Sequence, residues 1–140
     1  MTVEILTDAE KVIKFVSVFC RVPEGAKVGQ PLELADFQKQ FIRDIYDNPA
    51  GTRRAIMSIA RKNGKSALIA CILLAHICGP MRVKNSQIVS GAQSRDQAAL
   101  VFELASKMIN QNPALQQVTR IIPSQKTIVG LKDNVTYKAL

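Results

Sequence analysis

One change of pattern in the middle of the chain constrains its fold more than anything else. Residues 55–60 read Ala-Ile-Met-Ser-Ile-Ala, a short and nearly continuous apolar run of the kind expected for a strand buried on both faces. The run passes straight into Arg61-Lys62-Asn63-Gly64-Lys65-Ser66. From about Lys65 to Cys78 the chain is apolar all round, which predicts a helix enclosed by other elements. Gly79-Pro80 then ends it, because glycine accepts a helix C-terminus and proline cannot continue one.

The flanking segments extend this unit in both directions. Thr7-Asp8-Ala9-Glu10 reads as a capping box, with Thr7 bonding forward and Glu10 reaching back. It opens a helix over about 8–20, whose apolar side is Val12, Ile13, Phe15, Val16 and Phe19. After a loop opened by Pro23 and Gly25, Asp36 reads as the N-cap of a second helix to about Tyr46, with Phe37, Phe41, Ile42 and Ile45 on one side. Residues 88–90 read as a strand, and Ser94 as the cap of a helix to about Asn110, closed by Asn112-Pro113. The end of the chain alternates β-prone runs (118–122, 127–131 and 135–140) with turns at Pro123-Ser124 and Lys132-Asp133-Asn134. Helix, strand and helix in alternation predict the start of a doubly wound α/β domain, with a hairpin or meander at its end. We divide the chain into a lead-in helix and loop over 1–35 and a main unit over 36–140, one domain in all.

Charge is distributed unevenly. The chain carries 19 Lys and Arg against 11 Asp and Glu. Residues 48–95 hold Arg53, Arg54, Arg61, Lys62, Lys65, Arg82, Lys84 and Arg95 and not one carboxylate. Such a stretch suits a polyanion, although a solvated basic face has the same composition. The absence of Trp and an aromatic content of 5% argue against a platform of stacked aromatics for single strands. The apolar run 67–77 is too short to cross a bilayer, and no secretory signal opens the chain, so a soluble, intracellular protein is expected. Cys20, Cys71 and Cys78 form no Cys-x-x-Cys pair, and Cys71 and Cys78 lie seven apart inside the apolar run, which predicts for these two reduced, buried thiols. The single His76 has no second His or acid near it in sequence, and a structural role is expected for it.

A Gly-Lys-Ser between a buried strand and an apolar helix is suited to holding nucleotide phosphates. Backbone N–H groups converge at the helix start, where the dipole favours an anion. Gly64 lets the backbone approach closely, Lys65 can reach the β- and γ-phosphates, and Ser66 can offer a hydroxyl to Mg²⁺. The usual pattern has a further glycine five residues before Gly64, where this chain has Ile59. Arg61 lies four residues before Lys65. It either neutralises charge developing on the γ-phosphoryl group or is a surface arginine beside Lys62.

The runs IARKNGKSALIACILLAHICGP and VSGAQSRDQAALVFELASKMINQNPAL resemble the ATPase domain of the large terminase subunit of tailed bacteriophages, whose phosphate loop lacks the first glycine and carries that arginine. LADFQKQFIRDIYD is similar to the family's adenine-sensing segment, and the likeness covers about residues 30–140. The resemblance implies a three-layer P-loop NTPase (RecA/ASCE-like) domain that uses ATP and Mg²⁺. It places Lys65 and Ser66 on phosphate and Mg²⁺, with Lys62, Asn63 and Gly64 in the loop. It makes Arg61 the phosphate-sensing arginine and Gln38 the adenine-reading amide, with Phe37 packing nearby. Gln40 is the other candidate amide, and two positions along a helix it points elsewhere. Gln93 and Gln97 fall in a second signature and receive no chemical role.

The family also needs an apolar strand ending in adjacent acids, to organise Mg²⁺ and activate water. After Ser66 this chain has only Asp96, Glu103 and Asp133, none of them ending a predicted buried strand. The resemblance therefore implies a domain truncated before the acidic Walker B strand, with ATP turnover weak or absent in this piece. It further implies duplex DNA, the portal and the small terminase subunit as partners, the bacterial host cytoplasm as location, and self-association through the sheet edge that the missing strand would leave. Two other functions fit the residues: a basic nucleic-acid module without a nucleotide role, and a piece of another phosphate-loop enzyme such as a helicase.

Overall fold

In a computed structural model of the protein, residues 5–56, 65–92 and 94–140 are described, with the side chains of 95–98 left aside. The helices are α1 (Asp8–Phe19), α2 (Asp36–Tyr46), α3 (Lys65–Ile77), α4 (Arg95–Asn110) and the short α5 (Pro113–Val118). The strands are β1 (Gln87–Ser90), β2 (Thr119–Ile122), β3 (Thr127–Gly130) and β4 (Val135–Ala139).

Helix α1 begins as its sequence predicts, with one difference. The Glu10 N–H donates to the Thr7 hydroxyl at 3.3 Å, but the Glu10 carboxylate takes up the Thr7 hydroxyl instead of the cap's backbone N–H. The carboxylate of Asp47 completes the cap. Its Oδ1 accepts from the Ala9 N–H at 3.1 Å and its Oδ2 lies 3.0 Å from the Thr7 hydroxyl. The start of α1 is thereby tied to the end of α2, a link between residues forty apart that no local pattern announces.

The predicted N-cap of α2 is corrected by one residue. Ala35 occupies that position and Asp36 is the first helical residue. Alanine has no acceptor to offer, so only half a capping box forms: the Gln38 side-chain carbonyl accepts from the Ala35 N–H at 2.9 Å. Asp36 acts at the helix start through its negative charge in the first turn.

Helix α3 occupies the middle of the molecule. Leu68, Ala70, Cys71, Leu73, Leu74, Ala75 and Ile77 are all buried along it. Its neighbours are α1, α4, β3 and β4, but the predicted enclosure is incomplete: Ile69 is exposed and lines, with Ile72 and Leu73, an apolar cavity beside β1. The same core takes in Val12 and Val16 of α1, Ile42 of α2, and Phe102, Ala105 and Met108 of α4. The lead-in helix therefore shares a core with the main unit.

The four strands lie in the order β1-β4-β3-β2. Strands β2, β3 and β4 form the expected antiparallel meander, and β4 also pairs in parallel with β1. The register aligns Ile88, Tyr137, Ile128 and Ile121 across the sheet, with Tyr137 and Ile128 fully buried. Because side chains alternate along a strand, Val89 and Lys138 share the opposite face, as do Gln87, Thr136, Val129 and Arg120. Arg120 and Lys138 are exposed there.

Asn112-Pro113 does not simply stop α4. The Asn112 side chain accepts from the Ala114 N–H at 3.0 Å, with Pro113 at the first turn. The pair therefore starts α5, a position where a proline loses nothing because its N–H would be unpaired anyway. Of the predicted strand over 55–60, Ala55 and Ile56 are exposed and irregular, and residues 57–60 lie outside the described residues.

Candidate nucleotide-binding site

Lys65 and Ser66 are the first two residues of α3, with Lys65 exposed and Ser66 half-buried. An α-helix leaves its first N–H groups without intrahelical partners, so a cation and a hydroxyl stand beside a cluster of backbone donors. Arg61, Lys62, Asn63 and Gly64 lie outside the described residues, as does Gln93.

The two candidate amides of α2 differ in their surroundings. Gln40 is exposed, and its amide nitrogen donates to Asp44 at 2.9 Å. Gln38 is buried, at 9% exposure. Its carbonyl is engaged by the Ala35 N–H, while its amide nitrogen makes no hydrogen bond among the described residues. Phe37 beside it is 48% exposed, a large apolar side chain open to a ligand.

Helices α2 and α3 are joined by Tyr46 and His76, neither of which has a functional pattern around it in sequence. The Tyr46 hydroxyl lies 2.6 Å from His76 Nε2 and the rings pack 5.8 Å apart. Burial pushes Tyr46 up to about 12 and lowers His76 from its ordinary value. Both groups are therefore neutral around pH 7, and one proton is shared between the hydroxyl and the imidazole nitrogen, the tautomer of His76 setting which of the two donates. This gives His76 the structural role its isolation in the sequence implied.

Magnesium takes oxygen ligands, usually one or two carboxylates together with substrate phosphates. Among the described residues no group of three or more His, Cys, Asp and Glu converges to hold a metal. The Ser66 hydroxyl fits as one ligand to a metal that arrives with the phosphates. Asp133, one of three acids after Ser66, pairs with Arg82 at 2.8 Å and is thereby engaged in structure. No helix among the described residues is long and apolar enough to cross a membrane.

Comparison with known proteins agrees with this geometry. Residues 36–137 match the family model described as terminase large subunit, ATPase domain. The chain is 62% identical over 135 residues to the large terminase subunit of Enterobacteria phage HK97, spanning 96% of this chain and 27% of that protein. Its fold superposes on the crystal structure of the HK97 bacteriophage large terminase with a TM-score of 0.90, at 60% identity and the same coverage. The chain thus spans about a quarter of the length of these relatives. It belongs to the ATPase-domain family of the terminase large subunit.

Proposed function

We propose that this chain is the nucleotide-binding part of an ATP-driven motor that packages duplex DNA, in which Mg-ATP is bound at the start of α3. The observation that carries the reading is the placement of Lys65 and Ser66 as the first two residues of a largely buried helix, in a chain of the terminase ATPase family. Lys65 holds the β- and γ-phosphates and Ser66 a ligand position on Mg²⁺. Lys62, Asn63 and Gly64 supply loop contacts, and Arg61 senses the γ-phosphate. Gln38 reads the adenine through its amide nitrogen, with Phe37 against the base. Residues 36–140 form the nucleotide unit and 1–35 its lead-in, held by the packing of α1 on α2 and α3.

The motor's duplex DNA, its portal and small terminase subunit, and its place in the host cytoplasm belong to the same proposal, supported by the family alone. Self-association through the sheet edge that the family's acidic strand would otherwise fill is part of it as well.

The test is a titration of the chain with Mg-ATP beside Lys65→Ala. Loss of a charge-assisted phosphate contact should weaken binding about 10- to 100-fold. Equal binding by the two proteins would remove Lys65 from the site and the reading with it.

A further inference from the structure

Two cavities away from α3's N-terminus share walls and belong to one surface groove. The first, of about 300 Å³, lies along α1 and is lined by Lys11, Lys14, Phe15, Val18 and Phe19 with Pro80. The second, of about 350 Å³, continues over Phe15, Phe19 and Pro80 to α5 and to Lys132 in the β3–β4 turn. The floor is aromatic, with the Phe15 and Phe19 rings 5.3 Å apart. Val18 stands 60% exposed at its margin.

The charged side chains that line this groove have one sign. Lys11, Lys14, Arg82 and Lys132 line it, and no acid does. Asp8 lies 3.9 Å from Lys11 and Asp133 pairs with Arg82. Lys14 and Lys132 make no ion pair among the described residues, and they stand on the two different cavities.

We propose that this groove receives an acidic amphipathic helix of a partner protein. Each cavity has room for one large apolar side chain, and the lysines stand where the helix's acidic flanks would lie. Helix-in-groove recognition uses apolar anchors of this kind for affinity, and complementary rim charge for steering and register. A nucleic-acid backbone has no side chain to fill such apolar pockets, which is why charge complementarity here selects a peptide. The groove is built by α1, α5 and two turns, so it is separate from the nucleotide site and stands independently of it.

Fluorescence anisotropy with the 140-residue chain tests the proposal. The probes are a labelled Leu/Glu amphipathic helix, its Leu/Lys counterpart of the same apolar pattern, and a short DNA duplex. The Leu/Glu peptide should bind best, and less tightly as salt is raised. Two variants probe the two halves of the recognition. Lys14→Glu with Lys132→Glu should weaken binding about tenfold or more. Ala114→Phe, at an exposed position lining the second cavity, should block it while melting temperature and circular dichroism stay unchanged. Equal binding of both peptides, no binding of the acidic one, or indifference to both variants would overturn the proposal. So would displacement of the acidic peptide by the duplex, since the groove would then be a general polyanion surface.

Discussion

The hydroxyl of Tyr46, on the last residue of α2, lies 2.6 Å from Nε2 of His76 near the end of α3. This bond connects the helix carrying Gln38 to the helix carrying Lys65 and Ser66. Burial disfavours the charged form of both partners, so the pair contributes most where both are neutral. His76 is depressed below its ordinary value of 6.5. Its contribution is therefore complete above that value and is lost as pH falls through the lower, folded value. Tyr46 is raised from 10.0 to about 12, so its contribution is complete below 10 and is lost as pH rises towards 12. Urea unfolding across pH should show a plateau between these limits. Tyr46→Phe should lower stability by about 1–2 kcal/mol at about pH 7, because it leaves a half-buried imidazole nitrogen without its partner. An unchanged midpoint would mean that the hydrogen bond contributes nothing.

Gly130 ends β3 against the C-terminus of α3. A Cβ there would sit 2.2 Å from the Ile77 carbonyl oxygen and 3.1 Å from its carbon, both backbone atoms that cannot rotate away. Gly130→Ala should destabilise the protein by about 1–3 kcal/mol or more through enforced displacement of helix from sheet. Gly91→Ala is the control, since a Cβ there meets nothing within 4 Å. Thermal unfolding of the two variants would separate steric exclusion from a general effect of losing glycine.

The two glutamines of α2 should behave differently. Gln38→Ala removes the acceptor of the Ala35 N–H and should cost about 1 kcal/mol of stability, together with preference for ATP over GTP in a competition titration. Gln40→Ala breaks only an exposed contact with Asp44 and should change neither measurably. Loss of base preference in the Gln40 variant instead would transfer the adenine-reading role to it.

Thiol chemistry should report on the core. Cys20 and Cys71 are buried within it, and burial pushes the Cys78 thiol up to about 12. The Cys20 thiol is raised as well, by its hydrogen bond with Cys71 and by burial. Thiolate is the reactive form, so Ellman's reagent at about pH 8 should label none of the three in the native protein and all three in urea. Rapid labelling of Cys78 alone would place the end of α3 in open exchange with solvent.

The helices were legible because their apolar spacing is a local record of which side is buried. Val12, Phe15 and Val16 face the core as read, and the unbroken apolarity of α3 announces a helix buried along most of its surface, though Ile69 stands exposed. The meander was legible too, from alternation and turns. Reading Asn112-Pro113 as a stop failed because the same two residues serve as cap and first turn of a new helix. Whether they end one helix or start another is decided by Leu115, whose burial holds α5 against the core. The Gly-Lys-Ser marked the candidate site, while the sequence could only offer Gln38 and Gln40 as alternatives. Burial of one and the Asp44 contact of the other distinguish their environments.

What the sequence determined by itself was therefore most of the helices, the meander, and the Gly-Lys-Ser that marks the candidate site at the start of α3. The tertiary structure alone decided the partners: β4 parallel to β1, Asp47 capping α1, Tyr46 on His76, Gly130 beneath Ile77. The physical reason is range. Propensity, capping and amphipathicity act within a few residues, whereas these pairings join residues far apart in the chain, and they exist only once a common core has brought the elements together.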